Sequence, residues 1–170
     1  MINHKQDPIR TTAQSGRMVI WEEIARDGAQ GKTLLSAIDR LEIARREALI
    51  FGAHGAGHLV FAVGFPAVAP EEHAICQQFV AEADGLSPTL VCRGRKADIE
   101  QAVRIVKDVE HARIMIIVPA SDQVAAAMTH CAASEAIGDG SDFVKLAKDL
   151  APNVHVDLSY ADVPRGDWRR

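Results

Sequence analysis

Two almost wholly apolar runs constrain this chain most: His58 to Val63 (HLVFAV) and Arg113 to Val118 (RIMIIV). A strand with one face in water alternates apolar and polar residues, whereas a strand covered on both faces is apolar throughout. Pro66 and Pro70 end the first run, Ser121-Asp122 follows the second, and helical spacing comes after each. Strands of this kind, alternating with helices, form a parallel sheet with helices packed on it.

The rest of the chain repeats the pattern. Met18 to Ile24, Thr89 to Cys92 and Val154 to Leu158 are the other three strand candidates. Helical spacing covers Thr33 to Ile50, with Leu34, Ile38, Leu41, Ala44 and Ala48 as its inward stripe. Pro70-Glu71-Glu72 opens the next helix at its dipole-favoured end, and Ile75, Phe79, Val80 and Ala83 point inward. Ala97 to Val106 carries Ile99, Ala102, Val103 and Val106 on one stripe. Ser121-Asp122 caps an Ala-rich helix through Val124 to Ala136. Gly138-Asp139-Gly140 breaks it, and a last helix runs from Asp142 to Leu150. The fold class is α/β in one domain, residues 18–170, after a polar N-terminal segment, residues 1–17. Five βα units fit either a small doubly wound sheet or an incomplete (β/α)8 TIM-type barrel, and composition does not separate the two.

Bulk properties exclude several functions. Of 170 residues, 48% are apolar and 25% charged, as in a globular domain with a real core. The net charge of −4 and the lack of a basic face argue against a nucleic-acid partner. No apolar run approaches the roughly 20 residues of a membrane span, and Met1 to Arg17 contains no signal-type apolar core, so a cytoplasmic protein is expected. Cys76, Cys92 and Cys131 are odd in number and far apart. They indicate neither a disulfide framework nor a zinc ribbon, and read as buried structural thiols.

The segment Glu22 to Gln30 (EEIARDGAQ) carries most of the chemistry. It leaves the C-terminal end of the first strand, where parallel α/β folds bind ligands. Asp27 there offers a hard oxygen suited to a divalent ion. Arg26 can stabilise negative charge growing on a substrate oxygen, and Gly28 lets the backbone turn behind the pair. An ordinary Arg-Asp-Gly turn with a surface ion pair explains the same residues equally well. Val63 to Glu72 (VGFPAVAPEE) closes the second strand with a rigid, Pro-flanked loop. Gly31-Lys32-Thr33 lacks the earlier glycine of a phosphate loop, since Arg26 stands there. His54 and His58 lie among glycines that favour a turn over a helical metal clip.

Taken together, these segments resemble the metal-dependent family that contains 2-isopropylmalate synthase, homocitrate synthase, citramalate synthase and hydroxymethylglutaryl-CoA lyase. Arg26 to Gln30 is similar to its R-D-G-x-Q signature, and Gly64-Phe65-Pro66-Ala67 with Pro70-Glu71 to its G-F-P-A-x-S-P-E stretch. Arg93 with Asp98-Ile99, Arg113-Ile114 through Ser121-Asp122, and Asp157-Leu158-Ser159 with Asp162 and Arg165 resemble its third-, fourth- and fifth-strand patterns. The resemblance runs in order over residues 18–167 and favours the barrel. It implies a metal-assisted Claisen condensation of acetyl-CoA with a 2-keto acid. By this carry-over Asp27 is a ligand of a divalent metal (Mg, Mn or Zn), Arg26 and Gln30 are catalytic, and Arg93 faces the substrate carboxylate.

Departures from the family pattern bear on that expectation. Ala62, Met115, Ala120 and Ala161 stand where the synthases carry Glu, His, Thr and a second acid. These changes remove hydrogen-bonding and proton-transfer groups. Lys and Arg of the cofactor-tail region are absent from Val124 to Ala136. The family's H-x-H metal ligands lie on a later strand, and a full barrel typically takes about 250 residues. The expected architecture is therefore a barrel of about five βα units with two open edges, associating with itself or with a complementing chain. Two alternatives to the synthase stand beside it: a lyase or aldolase relative that cleaves a C–C bond, and a non-catalytic subunit of a split barrel.

Overall fold

The computed structural model describes residues 7–28, 34–52, 56–83 and 86–167. Five strands alternate with helices. They are β1 (Met18–Glu22), β2 (Ala56–Gly64), β3 (Ser87–Arg93), β4 (Arg113–Pro119) and β5 (His155–Ala161). All neighbours are parallel, and the sheet order is β1-β2-β3-β4-β5. Sequential order with every crossover between adjacent parallel strands is barrel winding; a doubly wound sheet reverses direction partway.

The sheet is curled. Neighbouring strands sit about 4.8 Å apart, so β1 and β4 in a flat sheet would be separated by roughly 14 Å. Here the guanidinium carbon of Arg113 on β4 lies 5.9 Å from the ring centroid of Trp21 on β1. Phe61, Val63, Leu90, Cys92, Ile114 and Ile116 face the helices and build the main core. Their neighbours Val60, Ala62, Thr89 and Val91 are equally buried on the concave side. Both faces are covered, which is why the strands are apolar throughout. β1 and β5 each pair on one side only, so the arc is an incomplete barrel.

The helices are α1 (Pro8–Gln14), α2 (Ala37–Glu47), α3 (Pro70–Glu82), α4 (Lys96–Val106), α5 (Asp122–Met128), α6 (Ala133–Gly138) and α7 (Gly140–Leu150). None of the described helices is long and apolar enough to cross a membrane. Within the polar segment before β1, Pro8–Gln14 is helical. Asp7 caps it, and it packs on β1 and β2 with Thr12 buried. Arg113 ties it down through Asp7 at 2.8 Å.

Two expectations are corrected. The stripe of α2 is Ala37, Arg40, Leu41 and Ala44, whereas Leu34 and Ile38 are 59% and 67% exposed. Ser36 and Asp39 form a capping box that starts the helix after Leu34, and the inward phase then falls on Arg40. The Ala-rich stretch is two helices. His130 adopts a left-handed φ of 60°, and the Asp122 carboxylate accepts from the Ala133 amide at 2.9 Å, starting α6 afresh.

Candidate functional site

The strand ends carry the residues singled out in the sequence. After β1 the backbone makes a π-helical turn, Ile24–Gly28, which holds Arg26 and Asp27. Such turns widen the backbone and are frequent at functional sites. The Trp21 indole donates to Glu23 Oε1 at 2.8 Å, and Arg26 Nε donates to Glu23 Oε2 at 2.5 Å. Arg26 Nη2 reaches Asp27 Oδ1 at 2.9 Å. The Arg26 side chain is only 13% exposed, while that of Asp27 is 58% exposed. Glu23 therefore orients the arginine, and the arginine in turn holds the aspartate at the surface. On the other side of β1, Glu22 meets Glu47 at the end of α2. Burial, and then the hydrogen bond and charge of Glu22, push the Glu47 carboxyl up to about 7.

The end of β2 is fixed by a buried clip. Arg40 donates to the Val63 carbonyl and to both carboxylate oxygens of Glu72 on α3. Glu72 also accepts from the Phe65 amide at 3.1 Å. The Gly64-Phe65-Pro66-Ala67 loop is thus set by its backbone, with side chains behind it.

Arg93 ends β3. Its Nε donates to Asp98 Oδ2 at 2.6 Å, and its guanidinium carbon sits 5.6 Å from the Phe65 ring centroid. The hydrogen bond to Asp98 holds the Arg93 pKa above its ordinary value against the opposing effect of burial. Past β4 and β5, Ser121 Oγ donates to Asp162 Oδ2 at 2.5 Å, and Arg165 donates to the same oxygen at 2.8 Å. On the concave side, Trp21, Glu23, Met115, Asp157, Leu158 and Ser159 line a shallow depression of about 380 Å³. Met115 thus faces the lumen with a thioether and offers no proton.

The turn after β1 brings Arg26 and Asp27 together in an ion pair. Arg93 is engaged by Asp98 and Phe65 at the next strand but one. Gln30, His54 and Lys32 lie outside the described residues. Glu23, Arg40 and Glu72 were missed in the sequence. Arg40 was legible there, because Ala37, Arg40, Leu41 and Ala44 have ideal helical spacing. Glu23 has no signal beyond its place before the Arg-Asp pair.

The described residues do not make up a metal site. Among them no three His, Cys, Asp or Glu side chains stand together, and Asp27 is already partnered by Arg26. A hard divalent ion fills six or more positions, so one exposed carboxylate holds it weakly.

The 2-isopropylmalate synthase of Heliobacterium modesticaldum (strain ATCC 51547 / Ice1) is 28% identical over 154 residues, which are 90% of this chain and 28% of that protein. The chain thus spans less than a third of the length of this relative. The family described as HMGL-like matches residues 18–167, from the first residue of β1 to just past β5. With that match over most of its length, the chain belongs to the HMGL-like family.

Proposed function

We propose that this chain supplies the first-strand part of an acyl-condensing centre of the 2-isopropylmalate or homocitrate synthase kind and relies on groups beyond the described residues to complete it. The observation that carries the reading is the Arg26–Asp27 pair at the C-terminal end of β1, braced by Glu23 and lying inside the family match. In the condensation, the methyl carbon of acetyl-CoA loses a proton and bonds to the keto carbon of a 2-keto acid. The keto oxygen becomes an alkoxide and then a hydroxyl, and water cleaves the thioester. Arg26 is suited to stabilise the charge on that oxygen, with Gln30 supporting it. Arg93 is suited to the substrate carboxylate once it turns from Asp98. Asp27 provides one donor to a divalent ion, with Mg, Mn and Zn as the candidates.

Calorimetric titration with Mn²⁺ tests this. The expected result is saturable binding weaker than micromolar, abolished by Asp27→Ala and kept in Arg93→Ala. Identical titrations of wild type and Asp27→Ala refute the reading.

A second reading, a non-catalytic chain that pairs with itself or with a complementing barrel segment, is favoured by the open edges. Met18 on β1 and Ile24 beyond it are 65% and 58% exposed, and Tyr160 on β5 is 45% exposed. Light scattering decides it: a monodisperse monomer that unfolds cooperatively is incompatible with this second role.

A further inference from the structure

A broad cleft lies at the other end of the strands. It occupies about 760 Å³ between α1, the Lys107-to-His111 loop before β4 and the Pro152-Asn153 turn before β5. All three segments precede strands, so the cleft opens at the N-terminal face, away from Arg26 and Asp27.

Its charges are unevenly matched. Three carboxylates line it, and each has a partner. Asp7 binds Arg113 at 2.8 Å, Glu110 faces His111 at 3.6 Å, and Asp108 faces Lys107 at 3.9 Å. Two cations remain. Arg10 is exposed on α1 and makes no ion pair among the described residues. Lys148 of α7 donates to the Val154 carbonyl at 2.7 Å and the Pro152 carbonyl at 3.3 Å, and it makes no ion pair among the described residues. Those two bonds use two of its three N–H donors. His155 closes the wall, with Nδ1 4.0 Å from Asp7 Oδ2.

Lys148 and His155 are partly buried near the Arg113 guanidinium, and like charges oppose one another there. Burial, and then Arg113, lower the Lys148 pKa, while Asp7 opposes this. Burial also lowers that of His155; Asp7 opposes this, while Arg113, Lys148 and His111 add to it. An anion entering the cleft would offset the repulsion among these cations.

We propose that this cleft binds a small dianion, either a phosphate-bearing compound or a dicarboxylate, with Arg10 and Lys148 as its cationic contacts. The bound anion bridges α1 to the β5 side of the barrel floor. α1 already docks there through Asp7 and Arg113, and Arg113 continues to Asp157 on β5 at 2.8 Å. Ligand binding at this face therefore tightens the N-terminal helix onto the strand ends.

Amide NMR titrations with inorganic phosphate and with malonate, each at constant ionic strength against sodium chloride, test the proposal. Saturable shifts clustered at Arg10, Lys148 and Asn153 are expected in at least one series, and the series that saturates identifies the ligand class. Arg10→Met should weaken that binding about tenfold, as loss of one charge-assisted contact does. Arg10 is exposed and makes no ion pair among the described residues, so this variant is expected to keep the fold. No saturation with either anion, or unchanged affinity in Arg10→Met, overturns the proposal. Asp27→Ala should leave the titration unaltered, which separates this cleft from the proposed condensing centre.

Discussion

Arg40 and Glu72 form a two-pronged ion pair, with Nη1 to Oε1 at 2.9 Å and Nη2 to Oε2 at 2.8 Å, between the second and third helices of the barrel. Arg40 is wholly buried, and its Nη1 also donates to the Val63 carbonyl at 2.5 Å. A methyl group on Gly64 would sit 2.1 Å from Glu72 Oε1 and 2.5 Å from Arg40 Nη1. Glycine is required there for closeness. Removing one partner of a buried pair leaves the other charge uncompensated, so Arg40→Met should cost about 3–5 kcal/mol. Gly64→Ala should cost about 1–3 kcal/mol through overpacking. Urea unfolding measures both as a lower midpoint at constant slope. A wild-type midpoint in Arg40→Met would show that the clip does not hold the loop.

Glu47 makes stability depend on pH in an unusual direction. Its ordinary pKa is 4.5, and burial beside Glu22 raises it to about 7 in the folded chain. Between those values the folded state keeps a proton that the unfolded state has released. The favourable contribution is complete below about pH 4.5 and is lost as pH rises through about 7. Glu47→Gln removes this loss. The variant and the wild type should melt together at pH 4, and the variant should melt higher at pH 8. Equal melting temperatures at pH 8 would exclude a proton held between Glu22 and Glu47.

The cysteines should react at very different rates. Burial pushes the thiols of Cys76 and Cys92 up to about 12, with Glu72 and Asp98 respectively adding to it. Cys131 is only partly buried, beside the Thr129 hydroxyl at 3.0 Å. Thiolate is the reactive form, so Ellman's reagent at pH 8 should modify Cys131 first and the other two only on unfolding. Cys131→Ser should remove the fast phase. Three equally fast thiols would contradict the buried core around β2 and β3.

Much of the fold was legible in local periodicity. The run Arg113 to Val118 is β4 within one residue, and Ile99, Ala102, Val103 and Val106 are all buried on α4. Periodicity failed where a competing local bond changed the phase. The Ser36–Asp39 capping box moved α2 past Leu34, and Asp122 restarted the chain at Ala133. The expectation of three buried thiols held for Cys76 and Cys92 but not for Cys131, which lies in the break between α5 and α6.

By itself the sequence determined the parallel α/β architecture and set an Arg-Asp pair at the end of the first strand. Both follow from short-range physics: apolar period, turn chemistry and the direction of parallel strands. Tertiary structure decided what those residues touch. It curled β1 towards β4, so that Trp21 meets Arg113. It placed Arg40 against Glu72, 32 residues away, and it gathered Arg10, Lys148 and His155 into one cleft from three separate elements. These pairings depend on strand order and sheet curvature, which emerge only once every strand has found its neighbour. The Arg26–Asp27 pair belongs to both levels: sequence set it at the strand end, and the fold supplied Glu23 to hold it.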